Sequence, residues 1–337
     1  MNRYEIVISS LDIPLDVSRL IYKYDYFLSG KLELEIPSPQ YIENIIQLSK
    51  DLIIIGEKYP GALKTLKIYN LKTFEYTYIN VGGNIYDLRI LSENKIVIIL
   101  FHKLMIYDVK TKESKSFACS KSIPSFDTYK EYLAFSSFDS KLIKIRNIET
   151  SIYKSIELPF DVSCILLISE KKMITGHSNG YILIWDLDTE TYITLQDLSF
   201  EITALKLLPH NCLLGKSLHS EIIWNLDTLK SKCRIKSSKF NTLINDHQII
   251  IEINSIFIYD FLTSGVVLLN KNGKNINYIC VLPNGQIACS MNDCTVEIWD
   301  IESQRFISAF ACDSNFMMIL KDNRLITGSY DKIEVFS

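Results

Sequence analysis

The chain has 337 residues, of which 47% are hydrophobic, and this is enough to fill the core of one large globular fold. Its 36 basic and 39 acidic residues give a net charge of -3, so it lacks the positive excess that non-specific nucleic-acid binding requires. No apolar run approaches the roughly 20 residues of a membrane span, and the first residues lack the apolar stretch of a signal peptide. We expect a soluble, cytoplasmic protein that binds neither nucleic acid nor membrane.

Residues 1–30 form an N-terminal segment that differs in pattern from residues 31–337. Apolar side chains recur in it at helical spacing after a proline and a capping aspartate: Pro14, Asp16, Val17, Leu20, Ile21 and Tyr24. The spacing predicts a short amphipathic helix within residues 13–27. Its apolar face either packs against the rest of the protein or docks another protein.

The stretch "KLELEIP" (31–37) alternates leucine and isoleucine with charged residues, which predicts a β-strand. From residue 41 onward a longer unit recurs. Eight apolar runs each end in an aromatic residue or arginine followed by Asn, Asp or Ser, at 69–70, 107–108, 146–147, 185–186, 224–225, 259–260, 299–300 and 336–337. Successive endings lie 35 to 40 residues apart, and each unit contains up to four short β-rich runs.

These runs are apolar at nearly every position, as in "YILIW" (181–185), so the strands must be covered on both faces. Four-stranded blades stacked side by side in a β-propeller provide that cover. Eight endings predict eight blades, and the alternative is seven, with residues 41–80 as an appendage. Because the last unit stops after its third run, the strand at 31–37 is predicted to complete that blade and close the ring.

The pattern resembles the WD40 repeat family over residues 41–337. Trp185-Asp186 and Trp299-Asp300 match the signature dipeptide, and Trp224-Asn225 nearly does. The family's Gly-His pair before the first strand of each blade is absent here. The buried His, Asp, Ser and Trp hydrogen-bond network of family members is therefore not expected, and the blades should be held by apolar packing alone. The resemblance implies a scaffold for protein–protein interaction.

The N-terminal segment resembles the first helix of an F-box, the docking module of ubiquitin-ligase adaptors. It is more closely similar to the lead-in of WD-repeat and BTB/POZ proteins of giant DNA viruses. The matching residues are Pro14, Asp16, Val17, Arg19, Ile21, Lys23, Tyr24, Asp25, Tyr26 and Gly30. This resemblance implies a viral protein of the host cytoplasm that contacts a ubiquitin-ligase component through its helix.

The stretch "MITGHSNGYILIWD" (173–186) contains two competing patterns. Gly176 to Gly180 satisfies G-x-S-x-G, the nucleophile elbow of serine hydrolases, which requires a strand, a sharp turn and then a helix. Ser178 is followed instead by a strand pattern, and Asn179-Gly180 is a strong two-residue hairpin signal that requires positive φ at both positions. The sequence therefore favours a hairpin over a catalytic serine.

No other pattern predicts catalysis, a metal or a cofactor. The five histidines show no HExxH spacing, no glycine-rich loop resembles a phosphate cradle, and the eight cysteines form no CxxC pair. We expect no catalytic residues, no metal site and no cofactor, and we expect the cysteines to be mostly buried thiols.

A partner is expected on the propeller face that carries the loops entering each first strand and the turns between second and third strands. Repeat register assigns nine residues to this face: Tyr41, Tyr86, Phe138, Asp161, Glu201, Lys239, Asn275, Asn292 and Tyr330. Phe138 and Tyr330 precede turn aspartates, and exposed aromatics at rigid turns are typical hot spots of peptide recognition.

The sequence thus favours a non-catalytic scaffold that binds a peptide or protein segment on this face, with a ubiquitin-ligase substrate adaptor as its more specific form. Two alternatives remain. One is a purely structural propeller that assembles with itself, and the other is a hydrolase with a site in the central channel.

Overall fold

A computed structural model describes residues 32–336 apart from several short stretches. The excepted residues are 38–40, 59–64, 84, 101–102, 119–124, 137–140, 196–199, 237–240, 253–255, 264, 271–274, 284, 315 and 330–331. Regular structure in the described part consists of β-strands alone. No helix there has the length and apolar character of a membrane span. The helix predicted within residues 13–27 lies outside the described residues, as does the boundary predicted between residues 30 and 31.

The strands follow one another at short intervals. In chain order they are β1 (Leu32–Pro37), β2 (Tyr41–Gln47), β3 (Leu52–Lys58), β4 (Thr65–Asn70), β5 (Tyr76–Asn80), β6 (Ile85–Ile90), β7 (Lys95–Leu100), β8 (Lys103–Asp108), β9 (Ser114–Ala118), β10 (Phe126–Tyr129), β11 (Tyr132–Ser136), β12 (Leu142–Asn147), β13 (Tyr153–Glu157), β14 (Val162–Leu167), β15 (Lys172–His177), β16 (Ile182–Asp186), β17 (Thr191–Leu195), β18 (Ile202–Leu208), β19 (Cys212–Ser217), β20 (Ser220–Asn225), β21 (Lys230–Lys236), β22 (Asn241–Leu243), β23 (Gln248–Glu252), β24 (Ile256–Asp260), β25 (Val266–Asn270), β26 (Ile276–Val281), β27 (Gln286–Met291), β28 (Thr295–Asp300), β29 (Arg305–Ala311), β30 (Phe316–Ile319), β31 (Leu325–Gly328) and β32 (Lys332–Phe336).

These strands form eight antiparallel four-stranded sheets, the blades of a β-propeller. Seven blades take four consecutive strands each, from β2–β5 to β26–β29, and the eighth has the order β1-β32-β31-β30. The prediction of eight blades is confirmed, and the seven-bladed alternative is wrong because residues 41–80 form the complete blade β2–β5. The chain divides into two compact units, one of Met1–Tyr41 with Lys274–Ser337, and one of Ile42–Gly273.

The predicted closing strand is also confirmed. β1 pairs antiparallel with β32, so that Leu34 lies opposite Val335 and Ile36 lies opposite Ile333. Ile36 is buried, whereas Leu32 is exposed. β1 thus supplies the fourth strand of the blade that also contains β30, β31 and β32.

The core of the unit Ile42–Gly273 lies between blades, because neighbouring residues of one strand face different blades. In β15 and β16, Met173, Leu183 and Trp185 pack in a cluster with residues of β11, β12 and β13. Ile174 and Ile182 pack in another cluster with residues of β19 and β20. The expectation from the unbroken apolar runs, cover on both faces of the strands, holds for this blade.

The first strand of a blade lies at the edge of its sheet, so one side of it has no strand partner. Side chains from the neighbouring blade bond to this free side of β14. The N–H of Ile165 in β14 donates to Ser125 Oγ at 2.8 Å, and the N–H of Leu167 donates to Asp127 Oδ2 at 2.7 Å. Burial raises the pKa of Asp127, although its bond from Leu167 opposes the shift. These bonds satisfy backbone donors that a bare edge would leave unpaired.

At seven of the third-strand endings, the second residue forms the turn that follows the strand. In the described part its side-chain oxygen accepts backbone N–H groups two or three positions later, at 2.7 to 3.1 Å, in Asn70, Asp108, Asn147, Asp186, Asn225, Asp260 and Asp300. The N–H of Thr189 accordingly lowers the pKa of Asp186. The aspartate of the repeat signature is here a turn-forming residue.

The hairpin predicted at residues 177–181 is confirmed, but its turn type differs from the prediction. Ser178 lies in a turn between β15 and β16, and no helix follows it. The N–H of Gly180 donates to the carbonyl of His177 at 3.1 Å, and only Gly180 among the turn residues has positive φ, 87°. This is a three-residue loop with its left-handed residue last, so Asn179 does not need positive φ.

The expectation that apolar packing alone holds the blades is wrong. In the blade β14–β17, hereafter the Trp185 blade, Trp185 Nε1 donates to Thr175 Oγ1 at 3.0 Å, and Thr175 Oγ1 lies 2.8 Å from His177 Nε2. His177 Nδ1 lies 3.2 Å from the carbonyl oxygen of Asp161. Since a carbonyl can only accept, Nδ1 carries the proton and Nε2 accepts from the threonine hydroxyl. This histidine lies at the end of a second strand, whereas the family's Gly-His pair precedes a first strand.

In the blade β26–β29, hereafter the Trp299 blade, the buried indole N–H has a different acceptor. There Trp299 Nε1 donates to Oε2 of the buried Glu297 at 3.0 Å. The two blades thus satisfy the same buried indole N–H with different acceptors.

Protonation of His177 should weaken the Trp185 blade. Burial lowers the pKa of His177 below 6.5, although its bond to Asp161 opposes the shift. The unfolded chain therefore binds the proton more readily, and stability present above about pH 6.5 should be lost as the pH falls below it. Between pH 7.5 and pH 5.5, the free energy of unfolding measured in urea should fall more for the wild type than for His177→Gln. An equal fall in both proteins would show that protonation of His177 is not the cause.

Removal of β1 should destabilise the last blade. Deleting residues 1–37 exposes the edge of β32 and removes Ile36, whose burial is worth about 2 kcal/mol. We expect a lower urea midpoint than for a control that lacks residues 1–30 and retains β1. If the two truncated proteins unfold at the same urea concentration, the pairing of β1 with β32 does not contribute to stability.

Candidate functional site

The structure places four of the nine predicted residues in the expected loops and turns, where all four are exposed: Asp161, Glu201, Asn275 and Asn292. Tyr41 is the first residue of β2, and Tyr86 is the second residue of β6 at a register shift between Ile85 and Asp87, so both lie within strands rather than loops. Phe138, Lys239 and Tyr330 lie outside the described residues.

Asp161 and Glu201 precede the first strands of neighbouring blades, the Trp185 blade and the blade β18–β21, hereafter the Trp224 blade. In the Trp185 blade the start of β14 pairs with the end of β15, because Val162 lies opposite His177. In the Trp224 blade Ile202 lies opposite Ser217 in the same way. We use the term top edge for the described loop and turn residues at this end: 158–161, 178–181, 200–201 and 218–219. The bottom edge is formed by 168–171, 187–190, 209–211 and 226–229.

The backbone of Asp161 is fixed while its carboxylate is exposed. Its carbonyl accepts the N–H of Ser178 at 3.3 Å and lies 3.2 Å from His177 Nδ1. The tryptophan–threonine–histidine chain thus reaches from the blade interior to the loop before β14. This is a rigid support for a surface side chain.

Aromatic rings accompany each of the two carboxylates. Phe160 stacks on Tyr181 with centroids 5.1 Å apart and meets the His177 ring edge-on at 5.9 Å. In the next blade Phe200 meets His219 edge-on at 4.6 Å. Phe200 remains 48% exposed, and Leu218 beside His219 is 69% exposed.

Sequence reasoning missed these aromatic residues, although a signal was present. "PFDV" (159–162) and "SFEI" (199–202) repeat the order phenylalanine, acid, β-branched residue at a distance of 40 residues. The repeat was recognised from the endings of third strands, and this second periodic pattern stands before first strands instead.

The Trp185 and Trp224 blades are joined close to the backbones of these two acidic residues. Ser163 Oγ donates to the carbonyl of Ile202 at 2.6 Å, and Cys164 Sγ lies 3.5 Å from the same oxygen. Burial raises the pKa of Cys164 to about 12, and the charge of Glu201 contributes to the rise. Asp161 and Glu201 thus flank one contact between neighbouring first strands.

Asn275 and Asn292 belong to the Trp299 blade in the other compact unit. The N–H of Asn292 donates to the carbonyl of Asn275 at 3.0 Å, which repeats the bond between Ser178 and Asp161. Asp161 and Asn275 thus occupy equivalent positions in their blades. The side chains of Asn275 and Asn292 are exposed.

Grooves open at the bottom side of neighbouring blades. A groove of 640 Å³ is lined by Ile106, Asp108, Thr111, Lys115 and Ile148, and one of 410 Å³ is lined by their counterparts 39 residues later: Ile145, Asn147, Thr150, Lys154 and Leu187. Charged groups beside them are engaged, as in the ion pair of Lys154 with Glu190 at 2.9 Å. These grooves offer paired charges, whereas the top edge offers exposed carboxylates beside exposed rings.

The described residues contain no group of three or more His, Cys, Asp or Glu side chains placed to hold a metal ion. Seven cysteines are described, and all seven are free thiols. Cys164, Cys212, Cys289 and Cys312 are buried, as expected for most of them, whereas Cys294 is exposed.

Comparisons with known proteins identify the fold. No family model and no curated protein matches the sequence. Among solved structures, the computationally designed Ika8 protein is similar with a TM-score of 0.72 and 15% identity, over 89% of this chain and 97% of that one. The C-terminal WD40 domain of Sif2 is similar with a TM-score of 0.67 and 12% identity, over 91% and 99% of the two chains. The fold of this chain is that of a WD40 β-propeller.

Proposed function

We propose that the protein is a non-catalytic scaffold that binds a protein segment at the top edge of the Trp185 and Trp224 blades. WD40 propellers commonly serve as protein-interaction scaffolds, and one observation supports this site. Exposed Phe200 and Leu218 lie on a rigid blade edge beside Asp161 and Glu201. Exposed apolar side chains in a fixed backbone are the usual anchors of protein interfaces.

We assign no residue a catalytic role. Ser178 lies in the turn of a β-hairpin, so the strand–turn–helix geometry of a hydrolase elbow is absent at this serine. Its neighbour His177 is buried and engaged with Thr175 and Asp161, so it is not directed at the Ser178 hydroxyl as a general base.

Replacing the exposed apolar residues of the top edge should weaken partner binding. Partners captured from host cells by full-length protein would be purified and titrated against Phe200→Ser with Leu218→Ser. We expect affinity to fall at least about tenfold, since truncating an interface anchor commonly costs about 2 kcal/mol or more.

The matched control is Ile152→Ser with Tyr153→Ser, which removes two apolar side chains of the blade β10–β13 that are at least as exposed as Phe200 and Leu218. Full retention of every partner by the top-edge variant would show that the site is wrong. A second copy of this chain as the sole partner, seen as a doubled mass in solution, would favour the self-assembling alternative instead.

The more specific part of the proposal is a ubiquitin-ligase adaptor that acts in the cytoplasm. Its support is the pattern of residues 13–27 and the resemblance to F-box and viral lead-in helices, and these residues lie outside the described part. A chain without residues 1–30 should lose co-purifying ligase subunits and keep the partner bound at the top edge. Capture of the same subunits by the shortened chain, or of none by the full chain, would contradict the adaptor role.

A further inference from the structure

The top edge differs from the bottom edge of the Trp185 blade in the pairing of its charges. Its described residues include the carboxylates Asp161 and Glu201 and no lysine or arginine. Lys216, at the adjoining end of β19, pairs with the buried Glu221 at 3.3 Å. Neither Asp161 nor Glu201 forms an ion pair with any residue that the structure describes.

At the bottom edge of the Trp185 blade, charges of both signs form ion pairs. Lys171 Nζ lies 2.6 Å from Asp188 Oδ2, and Glu190 lies 2.9 Å from Lys154. The protein as a whole is nearly balanced, with 36 basic and 39 acidic residues. The carboxylates without ion pairs at the top edge therefore do not reflect an acidic composition of the chain.

Aromatic and apolar groups accompany this negative charge. Phe200 packs edge-on against His219 and retains half of its surface in solvent, and Leu218 is exposed beside them. The quadrupole of an aromatic ring attracts a cation placed over its face, and the charge of nearby carboxylates adds to this attraction. The exposed leucine favours an apolar side chain adjacent to that cation.

We propose that the segment recognised at the top edge carries an arginine or lysine next to an apolar residue, with the cation beside Asp161 and Glu201 and the apolar side chain on Phe200 and Leu218. This inference rests on the proposed function, because it names the chemistry of the partner at the same site. Charge complementarity selects a basic segment over an acidic one, since a like charge placed here would be repelled.

The test uses full-length protein and a display library of random linear peptides. Enriched peptides should carry arginine or lysine beside an apolar residue. For a synthetic copy of the most enriched peptide, Asp161→Asn with Glu201→Gln should raise Kd about tenfold, and replacing the peptide's basic residue with norleucine should do the same. Raising the salt from about 0.05 M to about 0.5 M should weaken binding to the wild type more than to the variant.

The control Asp188→Asn with Glu190→Gln changes the net charge equally at the bottom edge of the Trp185 blade, and it should leave Kd unchanged. Enrichment of acidic or uncharged peptides, or an unchanged Kd in Asp161→Asn with Glu201→Gln, would overturn the inference. In that case loss of binding in Phe200→Ser with Leu218→Ser would leave the proposed site standing. Peptide binding that survives this apolar variant, or a selection that enriches nothing, would instead show that the proposed function is wrong.

Discussion

A blade strand that is apolar on both faces must be covered on both faces, and this constraint organises the structure. Ile174 and Met173 are adjacent in β15 but contribute to clusters shared with different blades. In β7, Ile96 and Ile98 likewise pack with residues of β3 and β4, whereas Val97 and Ile99 pack with residues of β10 and β11. Each buried aliphatic side chain contributes about 1.5 to 3 kcal/mol, so these two blades depend on their neighbours for stability.

The polar groups of the Trp185 blade that enter these interfaces have partners. Trp185 Nε1 ends a chain of bonds that leads through Thr175 and His177 to the carbonyl of Asp161. Ser125 and Asp127 accept the edge amides of β14. A buried donor without an acceptor costs about 1 to 3 kcal/mol, which is comparable to the loss of a whole apolar contact. The same bonds hold the loop before β14 in place, so satisfying the interior also positions a surface carboxylate.

The repeat was predictable because strand burial and turn formation leave periodic residue types. Eight endings of the type "LIWD" or "KIYN" are enough to count the blades, and the alternation in "KLELEIP" marks β1 as the missing strand. The bonds of His177 were not predictable, because its contact with the carbonyl of Asp161 depends on the register between β14 and β15, and its contact with Thr175 depends on side-chain orientation within β15. The site was predictable in part. Register gives the positions of Asp161 and Glu201, but the exposure of Phe200 depends on how its ring meets His219, which no spacing encodes.

The two edges of a blade are under different constraints, and this difference favours the top edge as the proposed recognition site. Every described turn at the third-strand endings uses the same Asn or Asp side chain to hold the hairpin, so a change of residue there removes a structural bond. The turns of the top edge are built in different ways: Gly180 with positive φ closes one, and Ser217 Oγ donating to the carbonyl of Ser220 at 2.9 Å closes another. Because no single residue type is required, their remaining side chains can differ from blade to blade without loss of the fold. A set of rigid turns with unconstrained side chains is the arrangement in which a particular combination of rings and carboxylates can be selected for one partner.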